Sequence, residues 1–245
     1  LSYPLTGSTG DGYKFAEKTG HNVTKLRPSL VGLKCLEGWC EKAAGLSLKN
    51  TALEIEDTFK SKIIYSDFGE MLITHVGVSG PMILSGSAHL RNMESGRYIL
   101  HMDLKPALSD EKLELRLIRE LTDNGSKTVK SAVLTLVPSS LAGVILKKSG
   151  LAGTEKCGNI TKEARQRLLH TLKDLTLTVT DFCPMDEAIV TSGGVSVKDI
   201  DPKTMMSKKV ENLYFIGEVI DVDAYTGGFN LTIAFSTGYL AGISI

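Results

Sequence analysis

The densest set of chemically useful residues in the chain is Gly217–Leu231, GEVIDVDAYTGGFNL. The run before it, Leu213-Tyr214-Phe215-Ile216, is apolar without alternation and reads as a strand buried on both faces of a parallel sheet. Gly217 and Glu218 then fall where that strand should end, at the carboxyl edge where open α/β sheets bind ligands. A carboxylate there can accept hydrogen bonds from sugar or polyol hydroxyls. Gly227 and Gly228 let the backbone approach a ligand with no Cβ in the way. The helix expected from Phe229, Asn230 and Leu231 onward would present free N–H groups and a partial positive charge, suited to an electron-rich carbonyl or a phosphate. The same residues also suit a plain strand–turn–helix corner, with glycines for tight packing and solvated acids.

Other chemistries find little support. There is no Walker-type loop, no H-E-x-x-H and no G-x-G-x-x-G. Gly77-Val78-Ser79-Gly80 is one residue short of a G-x-S-x-G elbow, and Pro81 follows at once. The histidines (21, 75, 89, 101 and 170) are scattered, with no pair at metal-ligand spacing, so no metal site is expected. Cys35, Cys40, Cys157 and Cys183 lack zinc or redox CxxC spacing and read as reduced core thiols of a cytoplasmic protein. Lys+Arg and Asp+Glu both number 28, so the balance gives no electrostatic reason for nucleic acid or an anionic membrane as partner. No apolar stretch approaches the roughly 18–20 residues that span a bilayer.

The elements that must position the 217–231 stretch fall into three kinds. Residues 1–22 and 192–245 have α/β character, with a turn-rich start and a short helix over Tyr13–Thr19. Strand-like segments fill 23–105 (Val23–Lys34, Leu46–Asp57, Ser61–Thr74 and Arg97–Leu104), with a short helix over Pro81–Leu90, and strands return over 174–191. Residues 106–173 read as helices. Ser109 opens one that carries Leu113, Leu117 and Leu121; Pro138 sits at the first position of a second; Thr161 opens a third with Ala164, Leu168 and Leu172 inward. The fold class expected is α+β in several parts: an incomplete α/β domain interrupted by a β-barrel insert with a helical subdomain. The chain starts on Leu1 and stops within the apolar run Tyr239–Ile245, whereas termini are ordinarily polar and frayed, so both ends read as cuts.

Leu213–Gly242 resembles the C-terminal flavin-contacting segment of the flavoprotein family that includes aminoacetone oxidase. So do Tyr3–Tyr13, Arg27–Leu30, Gly69–Pro81 and Asp201–Lys208, and the resemblance runs over essentially the whole chain. It implies FAD as cofactor, with the G-x-G-x-x-G turn for the diphosphate on a missing N-terminal FAD-binding segment. Glu218, after Gly217, would hold the ribityl hydroxyls. The backbone of Gly227, Gly228, Phe229, Asn230 and Leu231 would face the pyrimidine end of the flavin. Ala224 stands where the family usually has Gly, and Phe229 where it usually has Tyr.

Four residues are candidates for the substrate side. Tyr3 either covers the flavin or anchors a turn before Pro4. His75 either faces a substrate cleft or makes a structural hydrogen bond. Asp223 and Tyr225 lie between the Glu and the Gly pair. Gly193-Gly194 either approaches the flavin ring or makes a tight crossover. The function expected is part of an FAD-dependent oxidoreductase acting on a small molecule. Alone, the chain should retain no FAD and expose faces that favour self-association. The alternative is a non-enzymatic interaction or RNA-binding module, for which zero net charge and 6% aromatics provide no basic, aromatic footprint.

Overall fold

A computed structural model describes residues 1–245. The chain forms two compact units. One is built from residues 33–82 and 92–181, the other from residues 1–32, 83–91 and 182–245.

The first unit holds a closed six-stranded barrel. Its strands are β2 (Leu33–Cys35), β3 (Ser47–Asp57), β4 (Lys62–Ile73), β5 (Gly77–Ser79), β6 (Tyr98–Asp103) and β7 (Leu175–Phe182), in the order β2-β5-β4-β3-β6-β7. Alternate residues point inward: Leu53 and Ile55, Met71 and Ile73, Leu100 and Met102, Leu175, Leu177 and Val179 are all solvent-free. The seam between β7 and β2 is held by Leu36 N–H on the Thr178 carbonyl (2.9 Å) and by Glu37, whose carboxylate accepts from Thr178 N–H and Oγ1. Arg97 and Asp57 form a buried two-bond ion pair (3.0 and 2.9 Å), which holds the Asp57 carboxyl below the usual carboxylate range.

Four helices complete this unit, alongside the short α2 (Trp39–Lys42): α4 (Asp110–Asp123), α5 (Val129–Val133), α6 (Ser139–Lys148) and α7 (Lys162–Lys173). The Ser109 and Thr161 side chains cap α4 and α7 by accepting from Lys112 N–H and Ala164 N–H. Leu113, Leu117 and Leu121 bury one face of α4, and Ala164, Leu168, Leu169 and Leu172 one face of α7. Pro138 is the N-cap of α6 and not its first helical residue. Neither α2 nor α5 is expected from the sequence.

In the second unit, α1 (Asp11–Lys18) and α8 (Phe229–Gly242) flank a core of Ala16, Val195, Ile200, Met205, Phe215, Ile220 and Ala241. β1 (Arg27–Ser29) pairs with β8 (Val190–Ser192), so the expected strand over 23–34 is two strands, broken at Leu30 with its positive φ of 50°. α3 (Pro81–Ser87) leads into the 83–91 segment. Leu213–Ile216 does not form the expected buried strand. Tyr214 makes one isolated bridge to Met206, Phe215 enters the core, and Ile216 is 46% exposed. Val195 is the true crossing point, bridging antiparallel to Val23 and parallel to Ile220. No helix is long and apolar enough to cross a membrane.

Candidate functional site

Gly193 and Gly194 bring three backbone segments together. A Cβ on Gly193 would lie 2.4 Å from the Lys25 carbonyl oxygen, and one on Gly194 would lie 2.5 Å from that of Val219. The pair is therefore a crossover, and it fixes where the chain emerges at Gly217. Gly217 has a φ of 68°, and its N–H donates to Thr237 Oγ1 on α8 (3.0 Å). This couples the turn to the helix that follows it.

Beside this turn lies a cleft of about 330 Å³. Its lining includes Tyr3, Val190, Gly217, Glu218, Asn230 and Leu231. Tyr3 is held in left-handed conformation (φ 53°) ahead of Pro4 and is 54% exposed. Glu218 Oε1 accepts from Thr191 N–H (2.7 Å) and Ser2 Oγ (2.9 Å), so one carboxylate oxygen is committed to two other segments of the same unit. Behind it, Tyr13 Oη donates to the Glu218 carbonyl, and burial together with the Glu218 charge pushes the Tyr13 phenol up.

Gly227 (φ 105°) and Gly228 (φ 89°) start α8, and nothing lies within 4 Å of where a Gly228 Cβ would be. Gly228 is the N-cap and offers no side chain, so no side chain caps the helix's first N–H groups. Phe229 and Leu231 are exposed on the first turn at 59% and 63%. The Asn230 side chain is spent: Oδ1 accepts from Ala224 N–H (2.8 Å), and Nδ2 donates to the carbonyls of Ala224 (2.8 Å) and Tyr225 (3.3 Å). Asn230 thus pins the 221–228 loop and has no amide atom left over for a ligand.

Asp223 is also occupied, accepting from Ser29 Oγ (3.1 Å) and Ser192 Oγ (3.0 Å) on the paired strands β1 and β8. Tyr225 is half-exposed, and its Oη lies 2.5 Å from His89 Nε2. His75 belongs to the barrel unit, exposed on the turn between β4 and β5. Sequence reasoning missed His89. Its local context, Ser87-Ala88-His89-Leu90, carries no catalytic pattern, and only the fold brings it to the 221–228 loop. The arrangement can hold a flat, electron-rich group at an uncapped helix start, with a carboxylate beside it.

Residues 27–190, more than half of the chain, match a family model described as HI0933-like protein barrel and H2TH domain. The chain is 29% identical over 238 residues to the 3-dehydro-bile acid delta(4,6)-reductase of Clostridium scindens, covering 96% of this chain and 58% of that protein. It is 31% identical over 247 residues to the ribosomal RNA dihydrouridine synthase of Haemophilus influenzae, covering 100% and 58% respectively. The Escherichia coli protein of the same name is 29% identical over 239 residues, covering 98% and 57%. The chain therefore spans under two thirds of the length of these curated relatives.

Proposed function

The chain belongs to the HI0933-like family, and on that premise we propose that it is the barrel-bearing, flavin-contacting part of an FAD-dependent oxidoreductase that saturates a C=C bond conjugated to a carbonyl. The observation that carries this reading is the uncapped N-terminus of α8, opening at Gly227-Gly228 beside the Glu218 cleft. The resemblance to the aminoacetone-oxidase family supplies the cofactor. The relatives' names supply the reaction class. The two delta(4,6) double bonds of a 3-oxo bile acid and the ring double bond lost in forming dihydrouridine all lie in conjugation with a carbonyl.

The residues present fit the flavin-ring half of FAD. The open space at Gly228 admits a planar group. The N–H groups of Phe229, Asn230 and Leu231 would donate to its electron-rich edge, and the helix start would stabilise negative charge developing there. Glu218 would accept from ribityl hydroxyls through the oxygen not engaged by Thr191 and Ser2. Tyr3 and Leu231 would cover the ring and exclude water. Bound flavin would supply the hydride. The adenosine and diphosphate half has no glycine fingerprint here and would sit on the part that the relatives' extra length provides.

The test is the whole protein, purified and checked for the visible flavin band. Anaerobic reoxidation of the pre-reduced protein is then followed with a 3-oxo-4,6-diene bile acid and with uridine. Reoxidation by either probe supports the reading. A protein that binds no flavin when FAD is supplied would sink it.

A further inference from the structure

The reaction class proposed above needs a proton as well as a hydride, and the carboxylates of the site are poor sources. One Glu218 oxygen is bound by Thr191 and Ser2, and Asp223 accepts from Ser29 and Ser192. The oxygens taking these bonds are committed as acceptors. The Asn230 amide is committed to the loop backbone. Two phenols are left: Tyr3, which lines the cleft, and Tyr225, 46% exposed on the loop that Asn230 pins. Tyr225 is the one held against a second proton-bearing group, its Oη 2.5 Å from His89 Nε2 and the two rings 5.8 Å apart.

The placement of this pair is built by three features. Asn230 lines the cleft and fixes the Tyr225 carbonyl. Positive φ at Gly227 and Gly228 sets the turn between Tyr225 and α8. The 83–91 segment brings His89 into the same unit as the cleft, from a position 136 residues away in sequence. Burial and the Arg91 charge hold the imidazole below its ordinary range, so at neutral pH it is uncharged, with one N–H.

We propose that Tyr225 is the proton donor to the substrate carbon, with His89 as the positioning residue that hydrogen-bonds its phenol; this rests on the oxidoreductase reading above. A hydride supplied by reduced flavin adds to the β-carbon of the conjugated system. The π pair moves toward the carbonyl, giving an enolate. The Tyr225 O–H bond breaks, and its proton joins the α-carbon on the enolate's electron pair. The substrate gains two electrons, the flavin loses two, and the phenolate is stabilised by His89 Nε2–H until water reprotonates it. This chemistry requires the Nε2–H tautomer, because a phenol donating to Nε2 has no proton free for substrate.

Two measurements test it. Long-range proton–nitrogen NMR correlations of the ¹⁵N-labelled chain report the His89 tautomer with no cofactor or substrate present. Nε2–H is expected; an Nδ1–H ring accepting at Nε2 overturns the proposal. In the whole protein, Tyr225→Phe should keep the flavin band but slow reoxidation by the 3-oxo-4,6-diene bile acid or uridine by at least about 100-fold, the low end for general acid catalysis. His89→Gln, whose amide still donates to the phenol, should be faster than His89→Leu. Wild-type rates in Tyr225→Phe, or equal rates in the two His89 variants, overturn the proposal alone. A flavin-loaded wild type that neither probe reoxidises brings down the oxidoreductase reading and the donor role together.

Discussion

Replacing Asn230 with Ala removes three hydrogen bonds that hold the 224–225 backbone. Two are 2.8 Å long and one is 3.3 Å, all between neutral groups. At a net of about 0.5–1.5 kcal/mol each for the two short ones, local opening of the loop should become easier by about 1–3 kcal/mol. At tenfold per 1.4 kcal/mol, protection of the Ala224 amide against hydrogen exchange should fall roughly 5- to 150-fold. The barrel unit shares none of these bonds, so its protected amides should not change. Asn230→Asp separates the terms: it keeps the acceptor for Ala224 N–H but loses both donors and turns a carboxylate toward two carbonyls. Its gain at the helix start is only about 0.3–1 kcal/mol. Ala224 protection in that variant should therefore still fall short of wild type. The assay is native-state exchange read by NMR or mass spectrometry. An unchanged Ala224 amide in Asn230→Ala would show that the loop is held by something else.

Four further outcomes are expected. Purified as these 245 residues, the chain should remain colourless after FAD is added and the excess removed, and size-exclusion chromatography should show self-association through exposed Phe235, Tyr239 and Ile243 on and beyond α8. In the whole protein, Glu218→Ala should weaken FAD binding at least about tenfold by fluorescence titration, and Glu218→Gln less. Leu177→Ala, at a fully buried barrel position, should cost about 2–5 kcal/mol in urea unfolding, while Thr161→Ala at the start of α7 should cost about 1 kcal/mol. Because Arg97 depresses the folded Asp57 carboxyl, the stability it contributes is present above the ordinary carboxylate range, near pH 4, and is lost as pH falls through the depressed value; Asp57→Asn should be less stable at pH 7 and show a shallower acid decline of the urea midpoint.

How legible these features are in sequence depends on the range of the interaction that makes them. β3 is visible because its alternation matches its burial, and α4 and α7 because Ser109 and Thr161 cap them locally. Leu213–Ile216 misleads because an apolar run has the same composition whether it adds a strand to a sheet or, as here, makes one isolated bridge and sends Phe215 into the core. The Glu218 and Gly227-Gly228 positions stand out by residue type. The duties of Asn230 and Asp223 do not, since they depend on carbonyls and hydroxyls that only the folded loop and the β1–β8 pair deliver. His89 is invisible for the strongest reason: its partner is 136 residues away.

The two units differ in how their sequence is distributed, and this imposes an order of events at the ribosome. The barrel has every strand it needs once β7 has emerged at Phe182. Residues 1–32 of the other unit precede the barrel in the chain, yet that unit cannot close its core until Ala241 of α8 is available. At about 5–20 residues per second, that interval lasts roughly 3–12 seconds. When it begins, Ala16 and Val23 have been synthesised but their core partners Val195, Phe215 and Ile220 have not; these follow in turn, and Ala241 comes last. The nascent chain therefore carries a finished barrel together with an unclosed apolar surface of the other unit. That surface is where a holdase chaperone would act, and slow codons after Phe182 would prolong its exposure.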